Sequence, residues 1–125
     1  MFSVGTDMVE INRIKKSMER EGFLHRILGG EEYIQLALKK FPAQSVAGNF
    51  CAKEAFSKAV GTGFRGIHLK EIEIIRNKLG KPFMKFNGNA LKLYKNDEFS
   101  VSITHTKDLA LAVVVYLGKD RVYEW

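Results

Sequence analysis

Phe50-Cys51-Ala52-Lys53-Glu54-Ala55-Phe56-Ser57-Lys58 is the stretch that decides how this chain of 125 residues is read. It belongs to a helical pattern from about Ser45 to Val60, stopped by Gly61-Thr62-Gly63. At about 100° per residue, Ala52, Ala55, Phe56, Ala59 and Val60 fall on one side as a core stripe. Glu54 and Lys58 are one turn apart on the other side. Ala47, Phe50 and Cys51 lie there with them, where a helix with one buried face would carry solvated residues. Only Lys53, Glu54, Ser57 and Lys58 break the apolar surface. Two readings fit the pair. One is a surface ion pair worth roughly 0.2–0.5 kcal/mol. The other is a charged pair inside a covered cleft or at a subunit boundary, where desolvation demands partners.

Working outward, Phe2 to Ile11 begins as a strand, with Phe2, Val4 and Met8 alternating. Gly5 interrupts it, the mark of a close approach by another backbone or a ligand. A helix is expected from Ile11 to Glu21, with Ile14 and Met18 inward and Arg13, Lys16 and Arg20 on the opposite face. Phe23 to Leu28 is a short helical turn stopped by Gly29-Gly30. Glu31 to Lys40 is another helix, acidic in its first turn and ending before Pro42. Strands are expected over Leu69–Arg76 and Phe83–Phe86, joined by Leu79-Gly80-Lys81-Pro82 as a hairpin. A short helix, Ala90 to Tyr94, precedes strands Phe99–His105 and Leu109–Leu117. Helices early and antiparallel strands late make an α+β fold, with helices packed on one face of a small antiparallel sheet.

The length suits one domain spanning residues 1–125. No apolar run approaches the roughly 20 residues of a membrane span, and the N-terminus lacks the basic start and apolar run of a signal peptide. One cysteine excludes an internal disulfide and a thiolate metal cage. A cytoplasmic, membrane-free protein is the expectation. Twenty Lys and Arg against 14 Asp and Glu give a net charge of +6. Such a chain attracts nucleic acid, phosphorylated cofactors or an acidic protein, and composition does not choose among them.

Asp7, in Val4-Gly5-Thr6-Asp7, is a second carboxylate near the end of the first strand. It either projects into a cleft or, with Glu10, precedes the next helix as an N-terminal carboxylate. Val4 to Asp7 followed by Phe50 to Lys58 resembles the two-part signature of 4′-phosphopantetheinyl transferases. Thr6 to Ile14, Ala59-Val60-Gly61-Thr62-Gly63, Gly80-Lys81-Pro82 and Ser102 to Asp108 are similar to the small bacterial subgroup, the holo-[acyl-carrier-protein] synthases. The resemblance covers nearly the whole chain, in order.

That resemblance implies transfer of the 4′-phosphopantetheine arm of coenzyme A to a serine of apo-acyl carrier protein, with release of adenosine 3′,5′-bisphosphate, in fatty acid biosynthesis. By motif match, Asp7 and Glu54 hold Mg²⁺, an oxygen-loving cation suited to two carboxylates and a diphosphate. Lys58 faces the diphosphate and stabilises or protonates the leaving phosphate. The serine proton goes to Glu54 or to a water on the metal; the residue types do not choose. His105 and Thr106 hydrogen-bond the phosphates, and His105 has an ordinary structural role as its alternative. Lys81 is a contact for phosphate or the pantetheine arm, with a merely solvated turn lysine as the alternative. Gly61 and Gly63 let the backbone approach the nucleotide or simply stop the helix.

The resemblance also implies a homotrimer with sites between subunits, and docking of the acidic carrier protein on Arg13, Lys16, Arg20 and Arg26. A solvated basic face is the alternative for that stripe. Asn49 departs from the family, which commonly has arginine there, so a phosphate or cross-subunit contact at 49 is in doubt. Cys51 reads as a small packing residue. The rival to the enzyme is a basic nucleic-acid-binding module. It would gain nothing from two covered carboxylates and would need an exposed aromatic ladder that the chain does not show.

Overall fold

The computed structural model describes residues 2–118. In chain order these form β1 (Phe2–Glu10), α1 (Ile11–Met18), α2 (Phe23–Ile27), α3 (Gly30–Ala37) and α4 (Ala43–Val60). A 3₁₀ turn (Leu69–Glu71) follows, then β2 (Ile72–Arg76), β3 (Pro82–Phe86), α5 (Gly88–Tyr94), β4 (Glu98–His105) and β5 (Leu109–Leu117). The α+β class is as expected, with the antiparallel strands divided between two sheets. One sheet has the order β1-β5-β4; the other is the β2-β3 hairpin. The first helix is shorter than its periodicity implies, ending at Met18. The run expected to begin a strand at Leu69 begins with the 3₁₀ turn, where the Glu71 side chain accepts the His68 backbone N–H.

α4 lies across the three-stranded sheet, against β1, β5 and β4. On the sheet's inner face Val9, Val101, Ala110, Ala112, Val114 and Tyr116 are buried beneath it. The expected stripe of Ala52, Ala55, Phe56, Ala59 and Val60 is buried throughout. Small residues on both surfaces let helix and sheet approach closely. Phe56 then meets Phe86, Tyr94 and Phe99 at centroid distances of 5.7, 5.2 and 5.3 Å. These rings join α4 to β3, α5 and β4, so an aromatic cluster bridges the two sheets.

The outer face of β1 and β5 is largely apolar and uncovered at the sheet's edge. Phe2, Val4 and Met8 of β1 are 73, 58 and 59 % exposed, opposite Leu117, Val115 and Leu111 of β5. Among the described residues no helix is long and apolar enough to cross a membrane.

Candidate active site

The site begins where β1 touches α4, backbone against backbone. A Cβ on Gly5 would stand 1.9 Å from the Ala55 carbonyl oxygen and 2.5 Å from the Ala59 nitrogen. Only glycine permits that contact. Ser3 Oγ adds a hydrogen bond to the Ala59 carbonyl. The pleat sends side chains two residues apart to one face, so Asp7 follows Gly5 onto the α4 side, paired in register with Ala112. It lies within the strand, which replaces the reading of Asp7 as a helix N-terminal carboxylate.

Lys58 does not pair with Glu54, its neighbour one turn back. Its Nζ donates to Asp7 Oδ1 at 3.2 Å, with the lysine side chain 56 % exposed and the aspartate 19 %. Glu54 is half-buried beside them. Its carboxyl is held above the usual carboxylate range, first by burial and then by the charge of Asp7, while Lys58 acts the other way. Asp7, Glu54 and Lys58 therefore share one site on two elements distant in sequence.

A carboxylate burdened by a second carboxylate, with one half-exposed ammonium to offset them, is an oxygen donor set short of positive charge. Mg²⁺ takes one or two protein carboxylates and fills its other positions with water and substrate phosphate oxygens. The residues fit that pattern. Among the described residues no group of three or more His, Cys, Asp and Glu side chains gathers to hold a metal alone.

Cys51 forms the floor. It is fully buried, and its Sγ reaches the Ala110 carbonyl at 3.4 Å. Burial, then the charge and hydrogen bonding of Asp7, push its thiol up to about 12. It is a packing residue, not a nucleophile. Ala47 is also fully buried within this chain. Ala47 and Cys51 are thus covered within this chain, while Phe50 stays half-buried.

His105 and Thr106 stand at the end of β4, both exposed. His105 Nδ1 lies 3.3 Å from the Thr106 carbonyl, and Thr106 Oγ1 accepts the amides of Asp108 and Leu109, closing the β4–β5 turn. Lys81 is exposed in the β2–β3 turn, its backbone amide held by Asn77 Oδ1. Among the described residues no hydrogen bond or ion pair joins His105, Thr106 or Lys81 to Asp7, Glu54 or Lys58. Gly61 caps α4 in the left-handed conformation, φ 79°, and Gly63 follows at φ 65°. Both amides point back to the Ser57 carbonyl, so the helix-stop role is built into the loop. Arg13, Lys16 and Arg20 are exposed and line one shallow cavity of about 570 Å³.

The residue that sequence reasoning missed is Lys53, adjacent to Glu54. By sequence it merely breaks the apolar surface of α4, yet it is fully buried. Its ammonium uses three partners: the Ile27 carbonyl at 2.6 Å, Glu32 Oε1 at 2.7 Å and the Leu69 carbonyl at 3.1 Å. Glu32, also fully buried, accepts from Gly29 N, Asn49 Nδ2 and Ile74 N as well. Burial raises the carboxyl of Glu32 and lowers the ammonium of Lys53, each opposed by the other's charge. A lysine inside an otherwise apolar helix was the available signal; its partner, 21 residues away, had none.

Asn49 belongs to this interior. It has no exposed surface and donates to Glu32 Oε2 and the Ile74 carbonyl at 3.0 and 3.2 Å. Position 49 serves the buried carboxylate and makes no phosphate contact from there. Among the described residues its Oδ1 has no hydrogen-bond partner.

Comparison with known proteins fits this geometry. The family model of the 4′-phosphopantetheinyl transferase superfamily matches residues 3–114. A holo-[acyl-carrier-protein] synthase of Clostridium beijerinckii is 45 % identical, over 92 % of this chain and 96 % of that protein. The corresponding protein of Caldanaerobacter subterraneus is 44 % identical, over 94 and 96 %. Among solved structures, the Helicobacter pylori synthase in complex with coenzyme A superposes with a TM-score of 0.78 at 33 % identity, covering 90 % of this chain and 98 % of that one. The Neisseria meningitidis synthase gives 0.81 at 34 %, covering 93 and 98 %. With a superfamily match along nearly its whole length, and Asp7, Glu54 and Lys58 gathered at one point, the chain belongs to the 4′-phosphopantetheinyl transferase superfamily and is an enzyme of it.

Proposed function

We propose that this single-domain enzyme is a holo-[acyl-carrier-protein] synthase. It transfers the 4′-phosphopantetheine of coenzyme A to a serine of apo-acyl carrier protein in cytoplasmic fatty acid biosynthesis. The observation that carries this is the meeting of Asp7, Glu54 and Lys58 across β1 and α4. The serine oxygen attacks the phosphorus that bears the pantetheine arm. The bond from that phosphorus to the bridging oxygen breaks, and adenosine 3′,5′-bisphosphate leaves. Little covalent chemistry is asked of the protein; position and charge do the catalysis.

Asp7 and Glu54 would hold Mg²⁺, which when bound neutralises charge on the diphosphate. Lys58 is half-exposed and tethered at only one oxygen. It can swing to the phosphate that departs and stabilise or protonate it. Glu54, with its carboxyl already raised, is a suitable acceptor for the serine proton. His105, Thr106 and Lys81 contact phosphate or the pantetheine arm, and Gly61 and Gly63 give the nucleotide close access to the backbone.

The apolar outer face of β1 and β5 supports a homotrimer, because exposed patches of that kind mark association surfaces. Assembly would bring His105, Thr106 and Lys81 of neighbouring copies to the Asp7–Glu54 site. Arg13, Lys16, Arg20 and Arg26 would steer the acidic carrier protein. Incubation with coenzyme A, Mg²⁺ and apo-carrier protein, followed by mass spectrometry, tests the reaction. The expected result is gain of one phosphopantetheine by the carrier; no gain refutes the proposal.

A further inference from the structure

An open groove of about 640 Å³ lies between the end of α2 and the loop leading into the 3₁₀ turn. Phe64, Ile67 and Leu69 give it an apolar floor; His25, Arg26, His68 and Lys70 form its rim. No acidic side chain lines it. Apolar ground bordered by Arg26 and Lys70 is complementary to an amphipathic anion.

Two features make it a built surface. Lys53 fastens its walls from below, since its ammonium bonds the Ile27 carbonyl of α2 and the Leu69 carbonyl of the 3₁₀ turn. His25 is stacked on Tyr33 at a centroid distance of 4.6 Å, which fixes that part of the rim. The groove also continues the basic surface of α1. Arg26 lines it and donates through Nη1 to the Glu21 carbonyl at 3.4 Å, in the turn that follows Arg20.

We propose that this groove is a second docking surface, and that its occupant is an acidic amphipathic helix of the carrier protein. An apolar side chain of that helix seats against Phe64, Ile67 and Leu69, while flanking carboxylates meet Arg26 and Lys70. The proposal rests on the synthase reading above.

Two measurements test it. In the full chain, Lys70→Glu should raise the KM for apo-carrier protein about five- to tenfold, as expected when one contact charge is reversed, and leave the KM for coenzyme A and the Tm unchanged. The Lys70→Cys variant gives an exposed thiol that maleimide can label, because Cys51 is fully buried. Apo-carrier protein should slow that labelling and coenzyme A should not. An unchanged carrier KM in Lys70→Glu overturns the proposal. Protection by coenzyme A alone also overturns it, since the groove would then belong to the nucleotide. Failure of the synthase reading itself appears separately, as no transfer by the wild-type chain.

Discussion

Lys58 Nζ lies 3.2 Å from Asp7 Oδ1, across 51 residues of sequence, and passes over the carboxylate one turn behind it on its own helix. The pair is half-exposed, so its own contribution to stability is small, about 0–1 kcal/mol after solvent screening. Lys58→Ala should therefore leave the urea midpoint nearly unchanged. Transfer should fall about 100-fold, the usual order for removing one charge-stabilising group. A variant that loses stability and activity in proportion would return Lys58 to a purely structural role.

Glu54 carries a cost in the metal-free fold. Its folded carboxyl titrates above the unfolded value of 4.5, mainly because of burial and then because of Asp7. An acid with a raised folded value binds its proton more tightly when folded, so stability falls as pH rises through the window above 4.5. Glu54→Gln removes that charge. It should melt higher than wild type at pH 7 without metal and match it below pH 4.5, while losing transfer about 100-fold. Calorimetry at the two pH values decides this; a variant less stable at pH 7 would show that Glu54 holds the fold together.

The long α4, the strand β5 and the close approach at Gly5 were legible because each has a local signature: helical spacing, an unbroken apolar run, a glycine inside a strand. So was the Asp7–Glu54–Lys58 set, through its motifs. The partner of Lys58 was not, since residue spacing favours Glu54 and only the β1–α4 contact brings Asp7 within reach. The doubt about a phosphate contact at position 49 was sound, but the role of Asn49 was not legible. Sequence shows an amide within a helix but not which way its side chain points, and here it points at Glu32. The division into two sheets was not legible, since β3 packs beside β4 without pairing with it, and strand patterning alone does not separate packing from pairing.

Lys53 and Glu32 form a fully buried ion pair. Forming such a pair gains little over apolar packing, but breaking it strands a charge. Lys53→Met should cost about 3–5 kcal/mol in urea unfolding. Adding Glu32→Gln removes the stranded charge, so the double variant should be more stable than Lys53→Met alone. Simple additivity of the two losses would mean that the charges are not coupled.

Gly5→Ala tests whether the site depends on backbone contact between β1 and α4. The added Cβ meets the Ala55 carbonyl oxygen at 1.9 Å and the Ala59 nitrogen at 2.5 Å, both backbone atoms that no rotamer change can move aside. β1 must shift from the helix or the helix from the sheet. Overpacking of this kind costs about 1–3 kcal/mol or more. The shift carries Asp7, two residues away, from Lys58 and Glu54. The expected outcome is a lower Tm together with a loss of transfer larger than the unfolded fraction accounts for at the assay temperature. Restoration of full activity at a temperature where the variant is fully folded would mean that Asp7 reaches Lys58 without the close packing at Gly5.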